Sequence, residues 1–306
     1  MGRGLYAWLQ PDGSWGWSNA GLVVDGDQSL LVDTLFDLPL TRGMLDAMRA
    51  AEPRATHRID TLVNTHSNGD HCHGNQLVEG AEIVASRACA EEMKEFPPGR
   101  LADLMQAYQG QESAAARFVQ RAFGAFDFGG IEPTLPTRTF EGSLRRTVGD
   151  KIVELIEVGP AHTRGDVLVC VPAEGIIFTG DILFVEGTPI VWEGPVANWI
   201  AACQRILALE PSLLVPGHGP ITDRRGVEAV LAYLEYLCAE ARQRYDGGMD
   251  AGEAARDIPL GDFSDWSDPE RIVVNVDTLY REFSASAATP DLPALLARMA
   301  GYGLRP

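Results

Sequence analysis

The densest group of metal-binding side chains in the chain lies in one run, Thr65-His66-Ser67-Asn68-Gly69-Asp70-His71-Cys72-His73-Gly74-Asn75. The residues before it, Ile59-Asp60-Thr61-Leu62-Val63-Asn64, form a short apolar run that predicts a buried strand. Gly69 and Gly74 indicate that the run itself is a sharply turning loop. Neutral imidazole and carboxylate bind zinc and also suit iron and manganese, so the run predicts a divalent metal site at a strand end.

Three further turns offer a metal-binding side chain after an apolar run. His162 lies in Gly159-Pro160-Ala161-His162-Thr163, and His218 lies in Pro216-Gly217-His218-Gly219-Pro220. Asp181 follows Ile176-Ile177-Phe178-Thr179-Gly180. A random scatter of the six histidines would rarely place ligands after successive strands, so we expect these loops to meet.

The order of these motifs, H-x-[H]-x-D-H, then His, then Gly-Asp, then Gly-His-Gly, resembles the metallo-β-lactamase superfamily of metal-dependent hydrolases over roughly residues 18–240. The resemblance implies a two-metal site with one carboxylate bridging the ions. The implied ligands are His66, residue 68 and His162 for the first ion, Asp70, His71 and His218 for the second, and Asp181 as the bridge.

The chain departs from the family pattern at Asn68, which replaces the middle histidine of the first motif. An amide oxygen is a neutral, hard and weak ligand, so the first site should bind a borderline metal less tightly. Three arrangements remain open: a dinuclear site with an Asn68 ligand, a mononuclear site at Asp70, His71 and His218, or a site adapted to manganese or iron. The family register puts His73 beyond the motif, where it is a less favoured ligand.

Composition narrows the class of partner. The chain has 306 residues, of which 45% are hydrophobic and 22% charged, as in a globular protein with a sizeable core. Its 43 acidic and 25 basic residues give a net charge of −18, which disfavours nucleic acid and anionic membrane surfaces. We see no signal peptide and no transmembrane run. The five cysteines form no CxxC pair, which favours a cytoplasmic location, and we expect Cys72 to point into the core.

The element order, strands with helices and then the same again, matches an α/β fold with two packed sheets and helices outside, a four-layer αβ/βα sandwich with the metal at one sheet edge. The resemblance implies the same fold. We expect a metallo-β-lactamase-like domain over 1–245 and a C-terminal helical extension over 246–306 that packs on the same domain. The extension has linker-like stretches around 246–248 and 258–262 and helices over 269–284 and 292–299. It could complete the domain, wall the pocket or mediate a homodimer.

A helical insertion at about 87–130 separates the first metal motif from the second, with helices over 87–95 and 101–125. Its position predicts a lid or pocket wall, and its aromatic residues favour a bulky or aromatic small-molecule substrate. The alternative is that these aromatics only pack the insertion onto the body. Trp15 and Trp17 pose the same choice between covering substrate and packing in the core.

These expectations combine into a metal-dependent hydrolase that uses a metal-bound hydroxide on an acyl-type substrate such as a thioester, a lactone or a related ester. Asp70 is the candidate catalytic residue, because its carboxylate could carry a proton to the leaving group. Thr163 and Asp166 are expected to orient the His162 imidazole. The alternatives are an iron-dependent oxidoreductase of the same fold and a non-catalytic metal-binding scaffold.

Overall fold

The computed structural model describes residues 2–286 and 288–302. The first sheet contains, in chain order, β1 (Leu5–Trp8), β2 (Ala20–Asp25), β3 (Gln28–Val32), β4 (Thr61–Val63), β5 (Glu82–Ser86) and β6 (Arg138–Phe140). Strands β1 to β3 pair antiparallel, and β3 to β6 pair parallel. Successive parallel strands bring their carboxyl ends to one edge of the sheet.

The second sheet contains β7 (Ser143–Val148), β8 (Lys151–Glu157), β9 (Val167–Val171), β10 (Ile176–Phe178) and β11 (Leu213–Val215). Its spatial order is β11-β10-β9-β8-β7. Strands β7 to β10 pair antiparallel, whereas β10 and β11 pair parallel and therefore end at the same edge.

The strand side chains alternate between two layers of core. In β9, the side chains of Val167, Val169 and Val171 pack between the sheets, whereas Leu168 and Cys170 pack against helices on the outer face. Strand β3 alternates in the same way between the inter-sheet core and the helical side. This period of two is the pattern of a strand buried on both faces.

The remaining layers are helical. Helix α1 (Leu38–Ala51) covers the first sheet, α2 (Gly69–Cys72) lies in the metal-binding run, and α3 (Arg87–Glu95), α4 (Gly99–Tyr108) and α5 (Ala114–Phe123) form the insertion. The second sheet and the C-terminal part carry α6 (Val196–Ala208), α7 (Arg224–Asp246), α8 (Ala251–Asp257), α9 (Ile272–Phe283) and α10 (Leu292–Ala300). The predicted four-layer αβ/βα sandwich is confirmed.

Three elements differ from the sequence-based prediction. The helix expected over 101–125 is two helices, because the chain leaves the helical path at Gly110, whose φ is +73°, and restarts where the Ser113 hydroxyl accepts a hydrogen bond from the Ala116 amide. The linker-like stretch after residue 246 contains α8, whose first turn Asp250 caps. Strand β1 was not predicted, because so short a run forms only by pairing with β2.

The C-terminal helices share a core with the second sheet. Val276 and Leu279 of α9 are buried in the same cluster as Trp199 of α6 and Leu234 of α7. Helix α10 packs on α5 of the insertion. The division of the chain at residue 245 stays a prediction. Among the described residues, we find no helix that is both long and apolar enough to cross a bilayer.

Candidate metal centre

The predicted ligands converge where the two sheets meet at the carboxyl ends of their strands. His66 follows β4, Asp181 follows β10, His218 follows β11, and His162 lies in the turn between β8 and β9. The sheets are joined at this edge by a hydrogen bond of 2.8 Å from the Val167 amide to the Thr65 carbonyl oxygen. Four loops that are far apart in sequence therefore meet, as the sequence predicts.

The first group consists of His66, His162 and Asp181, all buried, with one ligand atom from each residue within 4.8 Å of the others. Asp181 Oδ2 lies 3.6 Å from His66 Nε2 and 3.3 Å from His162 Nε2. Asn68 adjoins this group, because its side-chain oxygen lies 2.7 Å from His162 Nε2. The amide therefore stands beside the ion-binding atoms of the first group.

The second group consists of Asp70, His71 and His218, again with ligand atoms within 4.8 Å of one another. His218 Nε2 lies 3.2 Å from Asp70 Oδ2, and His71 Nε2 lies 3.9 Å from it. Asp181 Oδ1 is also 3.1 Å from His71 Nε2, so this carboxylate lies between the groups. Gly217 permits the approach, because a β-carbon there would lie 1.9 Å from Asp181 Oδ1.

Each of the four histidines is held on its outer side through Nδ1. The acceptor atoms are Thr65 Oγ1 for His66 at 3.0 Å, Asp33 Oδ2 for His71 at 2.9 Å, Ile190 O for His162 at 2.7 Å and Gly13 O for His218 at 3.0 Å. An Nδ1–H that donates outward leaves the Nε2 lone pair directed into the centre, where a metal ion can accept it.

Sequence reasoning missed Asp33, which anchors two of these histidines. Its carboxylate accepts hydrogen bonds from the Thr65 amide and hydroxyl, each at 2.7 Å, and from His71 Nδ1. Because Thr65 Oγ1 in turn accepts from His66 Nδ1, one carboxylate orients both rings. Asp33 has φ of +63°, a conformation that Asp tolerates better than most residues. The available signal was an acidic residue directly after the apolar run of β3.

The predicted support of His162 differs from the structure. Thr163 donates hydrogen bonds from its amide and hydroxyl to Asp166, so this pair stabilises its own turn. The imidazole of His162 is instead held by the carbonyl oxygen of Ile190. A backbone acceptor from another loop leaves no side-chain signal in the sequence, which is why it was missed.

Two other candidates lie outside both groups. His73 is buried with its ring stacked on Phe36 at 5.6 Å, and burial lowers the pKa of its imidazole to about 4. Cys72 donates from Sγ to the Ser67 carbonyl oxygen and packs against the small cluster around Cys89. Burial, together with the charge of Asp70, raises the pKa of the Cys72 thiol, so the thiol stays protonated and poorly nucleophilic.

The protonation pattern suits metal ligands. Burial lowers the pKa of His66 and of His162, which keeps both imidazoles neutral. Burial alone would raise the pKa of Asp70 and of Asp181, but the neighbouring histidines outweigh it and hold both carboxyls below their usual pKa. The charges of Asp181 and Asp70 outweigh burial at the other two ligands and raise the pKa of His71, and that of His218 to about 9, so a divalent cation that binds there displaces their protons. Imidazoles beside two carboxylates are a donor set for a borderline divalent cation.

Unpaired atoms in the centre provide a second test of that fit. Among the described residues, His66 Nε2, His71 Nε2 and Asp181 Oδ1 are buried without a well-aligned hydrogen bond, although the last two atoms lie 3.1 Å apart. Buried polar atoms are rarely left unpaired, and a metal ion would satisfy all of these. The contact between Asn68 Oδ1 and His162 Nε2 also places two acceptor atoms together, which a cation would stabilise. The residues present therefore fit a divalent metal.

An aromatic group adjoins the loops that hold His162 and His218. Trp15 packs edge-on against Phe118 and Phe123, with ring centroids 5.9 Å away in both cases, and lies 6.4 Å from Trp192. Phe118 is buried, whereas Trp15, Phe123 and Trp192 are partly exposed. Trp17 packs on Phe126. The aromatics of the insertion thus serve mainly in packing.

The sequence and the fold together define the class. The chain belongs to the metallo-beta-lactamase superfamily, which residues 13–218 match. Among solved structures, a metallo-beta-lactamase family protein from Thermus thermophilus has 18% identity and a TM-score of 0.66, with 92% of this chain and 94% of that chain covered. The sec-alkylsulfatase Pisa1 from Pseudomonas sp. has 17% identity and a TM-score of 0.69, covering 99% of this chain and 52% of that one.

Similar sequences carry different activities in their names. The 2,4-dinitroanisole O-demethylase subunit alpha of Nocardioides sp. is 27% identical over 234 residues, which are 75% of this chain and 61% of the relative. The hydroxyacylglutathione hydrolase of Brucella ovis is 25% identical over 194 residues, 62% of this chain and 58% of the relative. The chain thus spans about three fifths of the length of these curated relatives.

Proposed function

We propose that the chain is a metal-dependent hydrolase of small molecules. One observation carries the proposal: four histidines are anchored outward through Nδ1 while their Nε2 atoms face two buried carboxylates. The proposed ligands are His66, Asn68 and His162 for one ion, Asp70, His71 and His218 for the other, and Asp181 between them. Zinc is the proposed metal, because imidazole and carboxylate suit it.

A bound divalent ion supplies Lewis acidity and lowers the pKa of water from 15.7 to about 7. The protein itself would supply the group that moves the proton from this water to the leaving group. Asp70 is the more accessible carboxylate, since its side chain is 13% exposed against 4% for Asp181. Its Oδ2 atom lies against His218 Nε2, so Oδ1 is the proposed atom that takes a proton from water and passes it to the leaving group.

Asp181 and the buried histidines have a different part in this proposal. Asp181 contacts histidines of both groups and would hold the ions at a fixed separation. The hydrogen bonds at Nδ1 fix the ring orientations before substrate arrives, which avoids reorganisation during the reaction. Phe184 stacks on His218 with ring centroids 5.0 Å apart, which shields that imidazole from water.

Asn68 makes the two ions unequal in this proposal. Burial keeps His162 neutral, and its Nδ1–H donates to Ile190, so Nε2 has only a lone pair to offer. The Asn68 amide can direct its nitrogen to that lone pair, which blocks it, or its oxygen to an ion, which is a weak bond. We therefore expect the second group (Asp70, His71 and His218; the Asp70 group) to bind its ion more tightly than the first group (His66, His162 and Asp181; the His66 group).

Counting metals tests this inequality. Wild type and Asn68→His would be dialysed against limiting zinc and analysed by elemental analysis, with stepwise affinities from calorimetry. We expect the variant to bind its second equivalent at least tenfold more tightly. Equal affinities for both equivalents in both proteins would contradict the proposed role of Asn68. Elemental analysis of unsupplemented protein would at the same time identify zinc, iron or manganese.

The proposed substrates are bulky or aromatic acyl compounds, namely thioesters, lactones or related esters. The partly exposed rings of Trp15, Phe123 and Trp192 support this class, because they pack together and because Trp15 and Trp192 lie two residues from Gly13 and Ile190, which hold His218 and His162. The names of the two relatives also concern small molecules, one a glutathione derivative and the other an aryl ether. An aryl ether therefore belongs among the compounds to be tried.

Turnover of a small panel tests the function itself. Phenyl thioesters, an aryl lactone and 2,4-dinitroanisole would be offered to the metal-free, zinc-loaded and His218→Ala proteins. We expect hydrolysis that requires zinc and is lost in the variant. Hydrolysis that persists after the metal is removed would refute the proposal. A homodimer and a cytoplasmic location stay predictions, which light scattering and fractionation would test.

A further inference from the structure

The C-terminal helix α9 binds the loop whose backbone holds His162. Asn275, fully buried in α9, accepts a hydrogen bond from the Val191 amide at 2.7 Å and donates to the Pro189 carbonyl oxygen at 2.8 Å. The Thr278 hydroxyl donates to the Val191 carbonyl oxygen at 2.9 Å. These three bonds bracket Ile190, so they set the position of the carbonyl oxygen that accepts from His162 Nδ1.

The turn before α9 binds a second loop, whose backbone holds His218. Glu270 is 6% exposed, and its Oε1 accepts a hydrogen bond of 3.0 Å from Trp15 Nε1. The guanidinium of Arg271 lies 4.5 Å from the centroid of the Trp15 ring. Trp15 is two residues from Gly13, whose carbonyl oxygen accepts from His218 Nδ1. The C-terminal segment therefore reaches both metal groups, each through a different loop.

We propose that Asn275 and Glu270 are positioning residues for the metal centre, Asn275 acting on the His66 group through Ile190 and His162, and Glu270 acting on the Asp70 group through Gly13 and His218. The inference rests on the proposed function, since it assumes that both groups bind ions. It assigns to α9 and the turn before it a role beyond completing the core.

The physical basis is the coupling between an outer hydrogen bond and a metal ligand. A displaced carbonyl oxygen releases the Nδ1–H of its histidine, so the ring can rotate or exchange its tautomer, and its Nε2 lone pair no longer points at the ion. Loss of an outer partner lowers metal affinity by about 10–100-fold, and a residue one step further out should act at about tenfold. Because the two paths share no loop, each variant should affect one group.

Stepwise zinc affinity, measured by calorimetry on the full chain, tests the proposal. His66→Ala and His218→Ala first establish which binding step belongs to which group. We expect Asn275→Ala to weaken, by about tenfold, only the step that His66→Ala removes. We expect Glu270→Ala to weaken only the step that His218→Ala removes. Cobalt substitution adds a second readout, because the visible spectrum of the affected ion should change and that of the other should not.

Matched variants separate positioning from general destabilisation. Tyr280→Phe, also in α9, removes a hydroxyl that has no hydrogen-bond partner in the described part of the chain, and it should leave both steps unchanged. Glu270→Gln keeps an acceptor for Trp15 Nε1 and should restore the affinity that Glu270→Ala loses. Thr278→Val keeps the side-chain shape, removes one bond to Val191 and should act on the same step as Asn275→Ala, but more weakly.

The outcomes distinguish this inference from the proposed function. Wild-type affinities in both variants, or an equal loss at both steps in each, would overturn the positioning role. If wild type binds one ion, only the variant that acts on the occupied group should weaken it, and an effect from the other variant would overturn the inference. A wild-type chain that binds no divalent ion would instead overturn the proposed function.

Discussion

Asp33→Asn should uncouple metal binding from folding, because it changes the direction of hydrogen bonds without removing volume. The wild-type carboxylate only accepts: from the Thr65 amide and hydroxyl and from His71 Nδ1. In the variant, the side-chain oxygen keeps the bond from the Thr65 amide. The new NH2 group then faces the Thr65 hydroxyl and His71 Nδ1, and it can only donate to them.

The reversed hydrogen bonds change the tautomers of two histidines. His71 can accept at Nδ1 only as the tautomer that carries its proton on Nε2, which removes the lone pair needed by an ion. Thr65 Oγ1, now accepting from Asn, donates to His66 Nδ1 and imposes the same tautomer there. One ligand of each metal group is therefore disabled. We expect both ions to bind about 10–100-fold more weakly, which corresponds to about 1.4–2.7 kcal/mol.

The free energy of unfolding should change less than the binding free energies of the two ions together. Asn suits the positive φ of position 33, so the backbone conformation is kept. Burial raises the pKa of Asp33, so replacing the carboxylate by a neutral amide also relieves its desolvation. The opposing effect is that the hydrogen bonds from Thr65 and His71 lose their charged acceptor and become weaker. We expect a net loss of about 1–3 kcal/mol in the free energy of unfolding of the metal-free protein.

The assays are calorimetric zinc titration and urea denaturation in the presence of a chelator. Asp60→Asn is the matched control, because Asp60 accepts from the Ser29 amide at the opposite end of the same strand pair and lies far from the metal groups. That variant should retain wild-type zinc affinity. The reasoning would be refuted if Asp33→Asn bound zinc as tightly as wild type, or if it lost affinity at only one of the two groups.

Three further predictions concern residues outside the ligand set. Burial raises the pKa of Asp166 to about 8, so between about pH 4 and 8 the folded state keeps a proton that the unfolded state has lost. The free energy of unfolding should therefore fall by up to about 1.4 kcal/mol for each pH unit in that range. Urea denaturation at several pH values, with a chelator present, should show a flatter pH profile for Asp166→Asn than for wild type. Burial also raises the pKa of all five cysteine thiols, including those of the partly exposed Cys72 and Cys238. Because the thiolate is the reactive form, no thiol of the folded protein should react rapidly with a disulfide reagent at pH 8, whereas all five should react in guanidinium. Trp199→Phe removes a buried hydrogen bond to the Ile182 carbonyl oxygen and should lower the free energy of unfolding by about 2–4 kcal/mol, whereas an unchanged urea midpoint would show that this bond is not needed.

Local patterns in the chain were sufficient for most elements of the sandwich. The helix predicted over 87–95 has the observed bounds, because Ser86 caps it and an apolar face recurs at helical spacing. The runs that form β4, β10 and β11 were visible as short apolar stretches, each followed by a turn that contains glycine. Strand β1 and helix α8 were not visible, because each is short and depends on a partner that is distant in sequence.

The sequence by itself determined the family, the sandwich and the loops that carry imidazole and carboxylate groups, because these are recorded in side-chain type and spacing. Only the tertiary structure decided what holds those groups in place. The acceptors at Gly13 and Ile190 are backbone carbonyl oxygens, and every residue has one, so no residue type marks their role. The contacts of Asn275 and Glu270 likewise exist only because α9 and the turn before it fold back onto loops far from them in sequence.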